Sequence, residues 1–393
     1  MDDTEVVRNN DAGQSEHVRH SEHAGHSEHV GQDNNSILNK QTNEDTPRGK
    51  DAGHSKHSKE AMRSKFDKLL ELLDDSSRID LYNTAIRSLL ELAENNTDTL
   101  NLKIAASALR EMTQAFSIFQ PYAGIKKVTF FGSSRIQNDD ALYNHTKELA
   151  KRLAGLGWMT VTGAGPGIMS AAIEGAGRDM SLGVNIRLPH EQYANPFIAN
   201  DPKLVEMRYF FTRKLMLIKE SDAYVVLPGG FGTMDESFEL LTLLQTGKMN
   251  PAPVILLDAP GGTYWNSWYS FLGTELIPLE MIHRDDTALF MITSSIDASI
   301  NEITHFYSNY HSLRFVGDIL IIRHRHKLVP DQLENLATDF ADITLDGIIR
   351  KATPLPPERT DNDNLDMERI ALKFDKSSYG RLRMMIDRIN SFQ

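Results

Sequence analysis

Ala223-Tyr224-Val225-Val226-Leu227-Pro228-Gly229-Gly230-Phe231-Gly232-Thr233-Met234-Asp235-Glu236 is the stretch on which the fold turns. Ala223 to Leu227 is a strand-sized apolar run, the pattern of a strand buried on both faces of a parallel sheet. A proline and two glycines end it, and a helical pattern follows from Met234 to Leu244. The same unit stands upstream. Trp158 to Thr162 is apolar and β-branched, Thr162-Gly163-Ala164-Gly165-Pro166-Gly167-Ile168-Met169 makes a glycine turn, and a helix is expected from about Ile168. Around these lie Lys127 to Phe131 as a buried strand, Ala141 to Leu156 as an amphipathic helix ending at Gly157, and Leu182 to Ile186 as a strand. Arg208 to Glu220 follows as a helix and Val254 to Leu257 as a strand. Strands joined by helices predict a Rossmann-like, doubly wound parallel sheet in the α/β class. Ligands of such sheets sit beyond the carboxyl ends of the strands.

This domain is expected over residues 123–312. Before it, 58–122 reads as a helical region. Phe66, Leu69, Leu70 and Leu73 recur at helical steps, as do Leu81, Ile86, Leu89, Leu90 and Leu92, and Asp98 or Asn101 is placed to cap a helix through Phe116. That region shows no obvious catalytic set. After the sheet, 313–393 reads β-α-β-β-α, with strands near Ile319–Ile322, Gly347–Ile349 and Ile370–Phe374 and helices over Pro330–Phe340 and Tyr379–Ile389. A small α+β domain, ferredoxin-like in the simplest arrangement, is expected, interrupted by an acidic, proline-rich stretch at 354–366. Residues 1–57 are polar and expected to be disordered. Within them SEHVRH, SEHAGH and SEHVGQ repeat, with histidines at 17, 20, 23, 26 and 29. Such a tract is either a loose Zn²⁺ or Ni²⁺ ligand set or a solvated tail whose charge changes near the ordinary histidine pKa.

The net charge is −12, which argues against nucleic acid or an anionic membrane as the partner. No cysteine is present, so disulfides, thiolate nucleophiles and cysteine metal sites are excluded. The amino terminus has no apolar signal core and no run is long enough to span a bilayer, so a cytoplasmic protein is expected.

Glycines between strand and helix let backbone N–H groups approach an anion, and the helix N-terminus adds partial positive charge. Gly163, Gly165 and Gly167 in the first turn, with Met169 after them, and Gly229, Gly230, Gly232 and Thr233 in the second are therefore candidate phosphate ligands. Ser133, in Gly132-Ser133-Ser134-Arg135 after the first strand, brings a hydroxyl to the same end of the sheet. The first turn lacks the Gly-x-Gly-x-x-Gly spacing and the acidic ribose anchor of a dinucleotide site, and neither turn carries a P-loop Gly-Lys-Ser/Thr. Thr233 and Glu236 have the spacing of a helix capping box. Glu236 is therefore either a cap or a carboxylate set beside a phosphate loop, while Asp235 and Glu239 read mainly as solvated positions. Arg208, Arg213 and Lys214 are either a charged surface turn or a clamp for phosphate or base.

Pro228-Gly229-Gly230-Phe231-Gly232-Thr233-Met234-Asp235-Glu236 matches the Pro-Gly-Gly-x-Gly-Thr-x-x-Glu signature of the Lonely Guy (LOG) phosphoribohydrolases, often labelled lysine decarboxylases. Arg213-Lys214 matches the family's Arg-Lys pair, 23 residues before Glu236. The resemblance covers about 126–300. It implies that Arg213 and Glu236 are catalytic, that a nucleoside 5′-monophosphate is cut at its N-glycosidic bond, that no metal or organic cofactor takes part, and that the chain forms a homodimer or larger homo-oligomer. Gly163-Ala164-Gly165-Pro166-Gly167, Phe210-Phe211-Thr212 and Pro189-His190-Glu191-Gln192 are similar to the longer bacterial members, which include nucleotide 5′-monophosphate nucleosidases. They imply AMP, GMP or a pyrimidine nucleotide rather than a cytokinin nucleotide. Three other classes stand against this: a non-catalytic nucleotide sensor on the same fold, a pyridoxal-phosphate decarboxylase, and a scaffold. Lys214 has no recognisable Schiff-base context.

Overall fold

Strands that are apolar on both faces can be covered only if helices pack on each side, and this is what the computed structural model shows. It describes residues 64, 65, 68, 78–187 and 194–392. The histidine repeat, Phe66, Leu69, Leu70, Leu73 and Pro189-His190-Glu191-Gln192 lie outside the described residues. Residues 1–91 and 92–393 form two units. To the first belongs most of helix α1 (Ile79–Glu94), which carries Leu81, Ile86, Leu89, Leu90 and Leu92.

The second unit begins with α2 (Thr99–Phe119), capped by Asp98, whose carboxylate accepts from the N–H groups of Leu100 and Asn101 at 2.9 and 3.0 Å. The expected alternation then follows: β1 (Lys127–Phe131), α3 (Ala141–Gly155), β2 (Met159–Thr162), α4 (Ile168–Ala176), β3 (Ser181–Ile186), β4 (Leu204–Met207), α5 (Phe210–Lys219), β5 (Ala223–Val226), α6 (Phe231–Gln245), β6 (Val254–Leu257), α7 (Tyr264–Phe271), β7 (Met291–Thr293) and α8 (Ile296–His305). All seven strands pair in parallel in the order β4-β3-β2-β1-β5-β6-β7. The chain runs outward from β1 through β4, then crosses back to start β5 beside β1. That switch point is where ligands of doubly wound sheets bind.

The period-2 alternation of strand side chains sorts the core. Val128, Phe130, Val225, Leu227 and Ile255 pack with Leu149 and Leu153 of α3 on one face. Tyr224, Val226, Leu256 and Val184 pack with Met216 of α5 and Leu240 of α6 on the other. Glycine weakens a helix by about 1 kcal/mol, so Gly175 in α4 needs a reason. A Cβ there would lie 2.0 Å from the backbone carbonyl oxygen of Lys147 in α3. Backbone cannot yield as a side chain does, so Gly175→Ala is expected to cost roughly 1–3 kcal/mol. Urea unfolding measures it, and an unchanged midpoint would mean the two helices part freely.

The carboxy-terminal part differs from expectation. Its sheet is wholly antiparallel, four strands in the order β10-β11-β9-β8, formed by β8 (Tyr310–Val316), β9 (Ile319–His324), β10 (Thr344–Ala352) and β11 (Glu368–Phe374). Helices α9 (Pro330–Asp339), α10 (Pro356–Thr360) and α11 (Tyr379–Asn390) accompany them. The hairpin β8–β9 replaces the single strand expected there, and the arrangement is not ferredoxin-like. Tyr310–Val316 carries serine, histidine and arginine and is only half-buried, so it lacked an apolar run to mark it. The acidic stretch has a structural task. Arg323 and Arg369 stand opposite each other on β9 and β11, where like charges repel. Glu358 of α10 sits between them, 2.7 Å from Arg323 and 3.2 Å from Arg369. Burial alone would raise the Glu358 pKa, but the Leu355 N–H and both guanidinium groups hold it low.

Candidate active site

The glycine turns after β1, β2 and β5 meet because these are adjacent central strands. The Ser133 N–H donates to the Pro228 carbonyl at 3.2 Å, and the Ile168 N–H donates to the Ser133 carbonyl at 3.0 Å. A Cβ on Gly229 would stand 2.1 Å from the Thr233 hydroxyl oxygen, and one on Gly167 2.3 Å from the Ser133 carbonyl oxygen. Gly167 also has φ +67, the left-handed region that glycine enters without strain. Both helices leaving these turns lack a side-chain cap: Gly167 is the N-cap of α4 and Gly230 that of α6. Two helix N-termini without side-chain caps thus stand beside the Ser133 loop, the Ile168 N–H of the first being taken by the Ser133 carbonyl; helix N-termini of this kind are suited to anions.

Helix α6 begins at Phe231, three residues before the expected start, and this corrects the capping-box reading. Thr233 and Glu236 lie inside the helix, so Glu236 caps nothing. Both are buried, and Glu236 Oε2 has no hydrogen-bond partner. Burial pushes the Glu236 carboxyl up to about 7; Arg213 and Lys214 oppose the rise, and Asp235 and Glu239 add to it.

Arg213 reaches the site from α5. Its Nε donates to the Val184 carbonyl at 3.0 Å, and a Cβ on Gly163 would lie 1.9 Å from its Nη2 and 2.9 Å from the Met169 sulfur. Gly163 is therefore required by the guanidinium that packs on it, with Met169 alongside. Burial pulls the Arg213 pKa down from the ordinary arginine value, and Glu236 opposes this.

The remaining candidates divide. Gly165 is buried, and its carbonyl accepts from the Asn195 amide at 3.1 Å. Gly230 and Gly232 frame the entry to α6. Lys214 is turned to the acidic side of α6, 2.8 Å from Asp235 and 2.6 Å from Glu239. Burial would depress its ammonium, but these two carboxylates prevail and raise its pKa. Arg208 is exposed on the wall of a ~700 Å³ groove beside β4, together with Arg110, Arg187 and Glu206. No glycine-turn residue lines that groove.

Three supporting residues escaped the sequence reading. Asn195 ties down the first turn through Ala164 and Gly165, and the Tyr264 hydroxyl donates to the Gly229 carbonyl at 2.6 Å. Glu111 accepts hydrogen bonds at the start of α5. The sole sequence signals were an Asn-Pro turn at Asn195 and a lone acid on an apolar helix face at Glu111. Among the described residues no group of three or more His, Asp or Glu is placed to hold a metal ion, and no helix is long and apolar enough to cross a membrane.

The family described as "Possible lysine decarboxylase" matches residues 167–303. The probable cytokinin riboside 5′-monophosphate phosphoribohydrolase LOG6 of Arabidopsis thaliana is 30% identical over 167 residues, 42% of this chain and 78% of the relative. The chain belongs to the Lonely Guy family. Further Lonely Guy relatives are LOGL3 of Oryza sativa subsp. japonica and LOG1 of A. thaliana, each 29% identical over 151 residues, 37% of this chain and 69% or 68% of the relative. Among solved structures, a molybdenum cofactor binding protein from Rippkaea orientalis aligns over 46% of this chain and 96% of its own, at 22% identity and a TM-score of 0.32. At that score the likeness says nothing about function. The Lonely Guy signature accounts for the glycine turn and Glu236, whereas α2 and the carboxy-terminal sheet lie outside the matched residues.

Proposed function

We propose that this chain hydrolyses nucleoside 5′-monophosphates to a free base and ribose 5-phosphate. The observation that carries the reading is Glu236: a buried carboxyl early in α6, one oxygen of which has no hydrogen-bond partner and whose ionisation the Arg213 charge favours. As the C1′–N bond breaks, its electron pair leaves with the base and C1′ becomes oxocarbenium-like. The ionised Glu236 stabilises that charge and takes a proton from water as the water oxygen bonds to C1′. The proton taken up by Glu236 passes on to the departing base nitrogen, which regenerates the carboxylate, so one water is consumed per base released. The 5′-phosphate rests on the N–H groups at Gly167 and Gly230–Thr233 and on the Ser133 hydroxyl, and this remote binding positions C1′.

The test is base release, measured by chromatography on the purified full chain. Substrates are AMP, GMP, pyrimidine monophosphates and the cytokinin riboside 5′-monophosphates of the relatives' names, with the matching nucleosides as controls. Release from monophosphates but not nucleosides supports the reading and ranks the bases. Binding without release from any of them would replace it with a nucleotide sensor.

The raised Glu236 pKa gives a pH prediction with opposite signs for activity and stability. Because the folded state holds this proton more tightly than the unfolded chain, the Glu236 contribution to stability declines as pH rises from 4.5 to about 7. The active form is the ionised one, so kcat/KM rises about tenfold per pH unit below about 7 and levels above it. A flat profile through about pH 7 would exclude Glu236 as the titrating group.

A further inference from the structure

Helix α2 buries the stripe Ala108, Glu111, Ala115 and Phe119, an apolar face with one carboxylate in it. A charged group in such a stripe is costly unless it is hydrogen-bonded. Glu111 meets that condition at one place. Its Oε1 accepts the Arg208 backbone N–H at 2.9 Å, and its Oε2 accepts the Thr212 hydroxyl at 2.7 Å. Both partners belong to the entry turn of α5, 97 and 101 residues away in sequence.

That turn lacks a cap of its own, because the N-cap residue is Tyr209 and makes no side-chain hydrogen bond. Glu111 accepts no N–H of the helix itself; from another helix it ties down the residue before the N-cap and the side chain of the third helical residue. Arg213 follows Thr212 directly. Its far end is fixed by the Val184 carbonyl, and its Nη2 presses on Gly163 with no room for a Cβ. The guanidinium position is therefore set by two constraints, the β3 carbonyl and the seating of α5.

We infer that Glu111 is a positioning residue of the hydrolase, holding the start of α5 so that Arg213 faces Glu236 across the glycine turns. The inference rests on the phosphoribohydrolase reading. It gives α2, which precedes the residues matched by the family, a part in the site.

The experiment compares Glu111→Leu and Glu111→Gln in the full chain, reading kcat, KM and amide hydrogen exchange over residues 208–214. Leucine fills the space and accepts nothing. Glutamine still offers an oxygen to the Arg208 N–H, and the single Thr212 hydroxyl proton can turn from residue 111 to the Tyr209 carbonyl, 2.9 Å away. Expected are a fall in kcat of about 10- to 100-fold for Glu111→Leu, KM within about twofold, faster exchange confined to 208–214, and recovery of most of the loss in Glu111→Gln. Wild-type kcat in a folded Glu111→Leu would overturn the inference. So would equal losses in both variants with faster exchange throughout the sheet, the mark of a purely structural carboxylate. If the wild-type chain releases no base at all, it is the phosphoribohydrolase reading that fails. Slow exchange at 208–214 in Glu111→Leu would then refute the hold on α5 separately.

Discussion

Glu236→Gln lowers kcat by about 10²–10⁴-fold and leaves KM for the nucleotide near its wild-type value. In the proposed binding mode the phosphate is held by backbone N–H groups and Ser133, which the substitution does not touch, so ground-state binding should persist. What is lost is the negative charge that strengthens its hold on C1′ as positive charge develops there. The same variant gains stability. In the free protein, ionising a carboxyl whose pKa has risen from 4.5 to about 7 costs about 3 kcal/mol of folding free energy at pH above both values. The neutral amide removes that cost, so the urea midpoint of Glu236→Gln should rise at about pH 8 and match the wild type at about pH 4. A variant inactive and less stable at both pH values would indicate a damaged fold, and one with normal kcat would return Glu236 to the surrounding structure.

The central sheet was readable because its strands are unmixed. Lys127–Phe131, Ala223–Val226 and Val254–Leu257 are buried at every position, and such runs bounded by glycine leave little else to predict. Edge strands gave weaker signals. β4 (Leu-Val-Glu-Met) is only partly buried, and β7 has three residues, none of them buried. The glycine turns were legible because a backbone packed this closely on a neighbouring loop cannot carry a Cβ. Of the two readings open for Glu236, the cap falls away because Ser/Thr-x-x-Glu spacing marks a capping box only when the helix starts there, and Gly230 starts it earlier. Glu111, Asn195 and Tyr264 could not be assigned from spacing. They act on residues 97, 30 and 35 positions away, and only the folded sheet brings them there. Arg208 and Arg213 read alike in sequence. They part in the structure because one side chain turns toward a groove beside β4 and the other toward Gly163.

Arg213→Met is the second large loss, about 10²–10³-fold in kcat, and it carries a signature that Glu236→Gln cannot show. Arg213 is the chief influence holding the Glu236 pKa down against burial. Without its charge, that carboxyl should climb further, and the acidic limb of the kcat/KM profile should move above about pH 7. Part of the activity is then recoverable at high pH. Arg213→Lys separates charge from geometry. An ammonium restores much of the Coulombic effect, so the limb should return toward about 7. It lacks the planar fork that lets Arg213 bond the Val184 carbonyl while its Nη2 lies over Gly163. Orientation therefore stays impaired and kcat remains low. Methionine and lysine variants with the same limb as the wild type would show that Arg213 acts on the substrate alone. A limb that moves with methionine and returns with lysine would make the arginine's charge the reason a carboxyl this buried ionises at all near neutral pH.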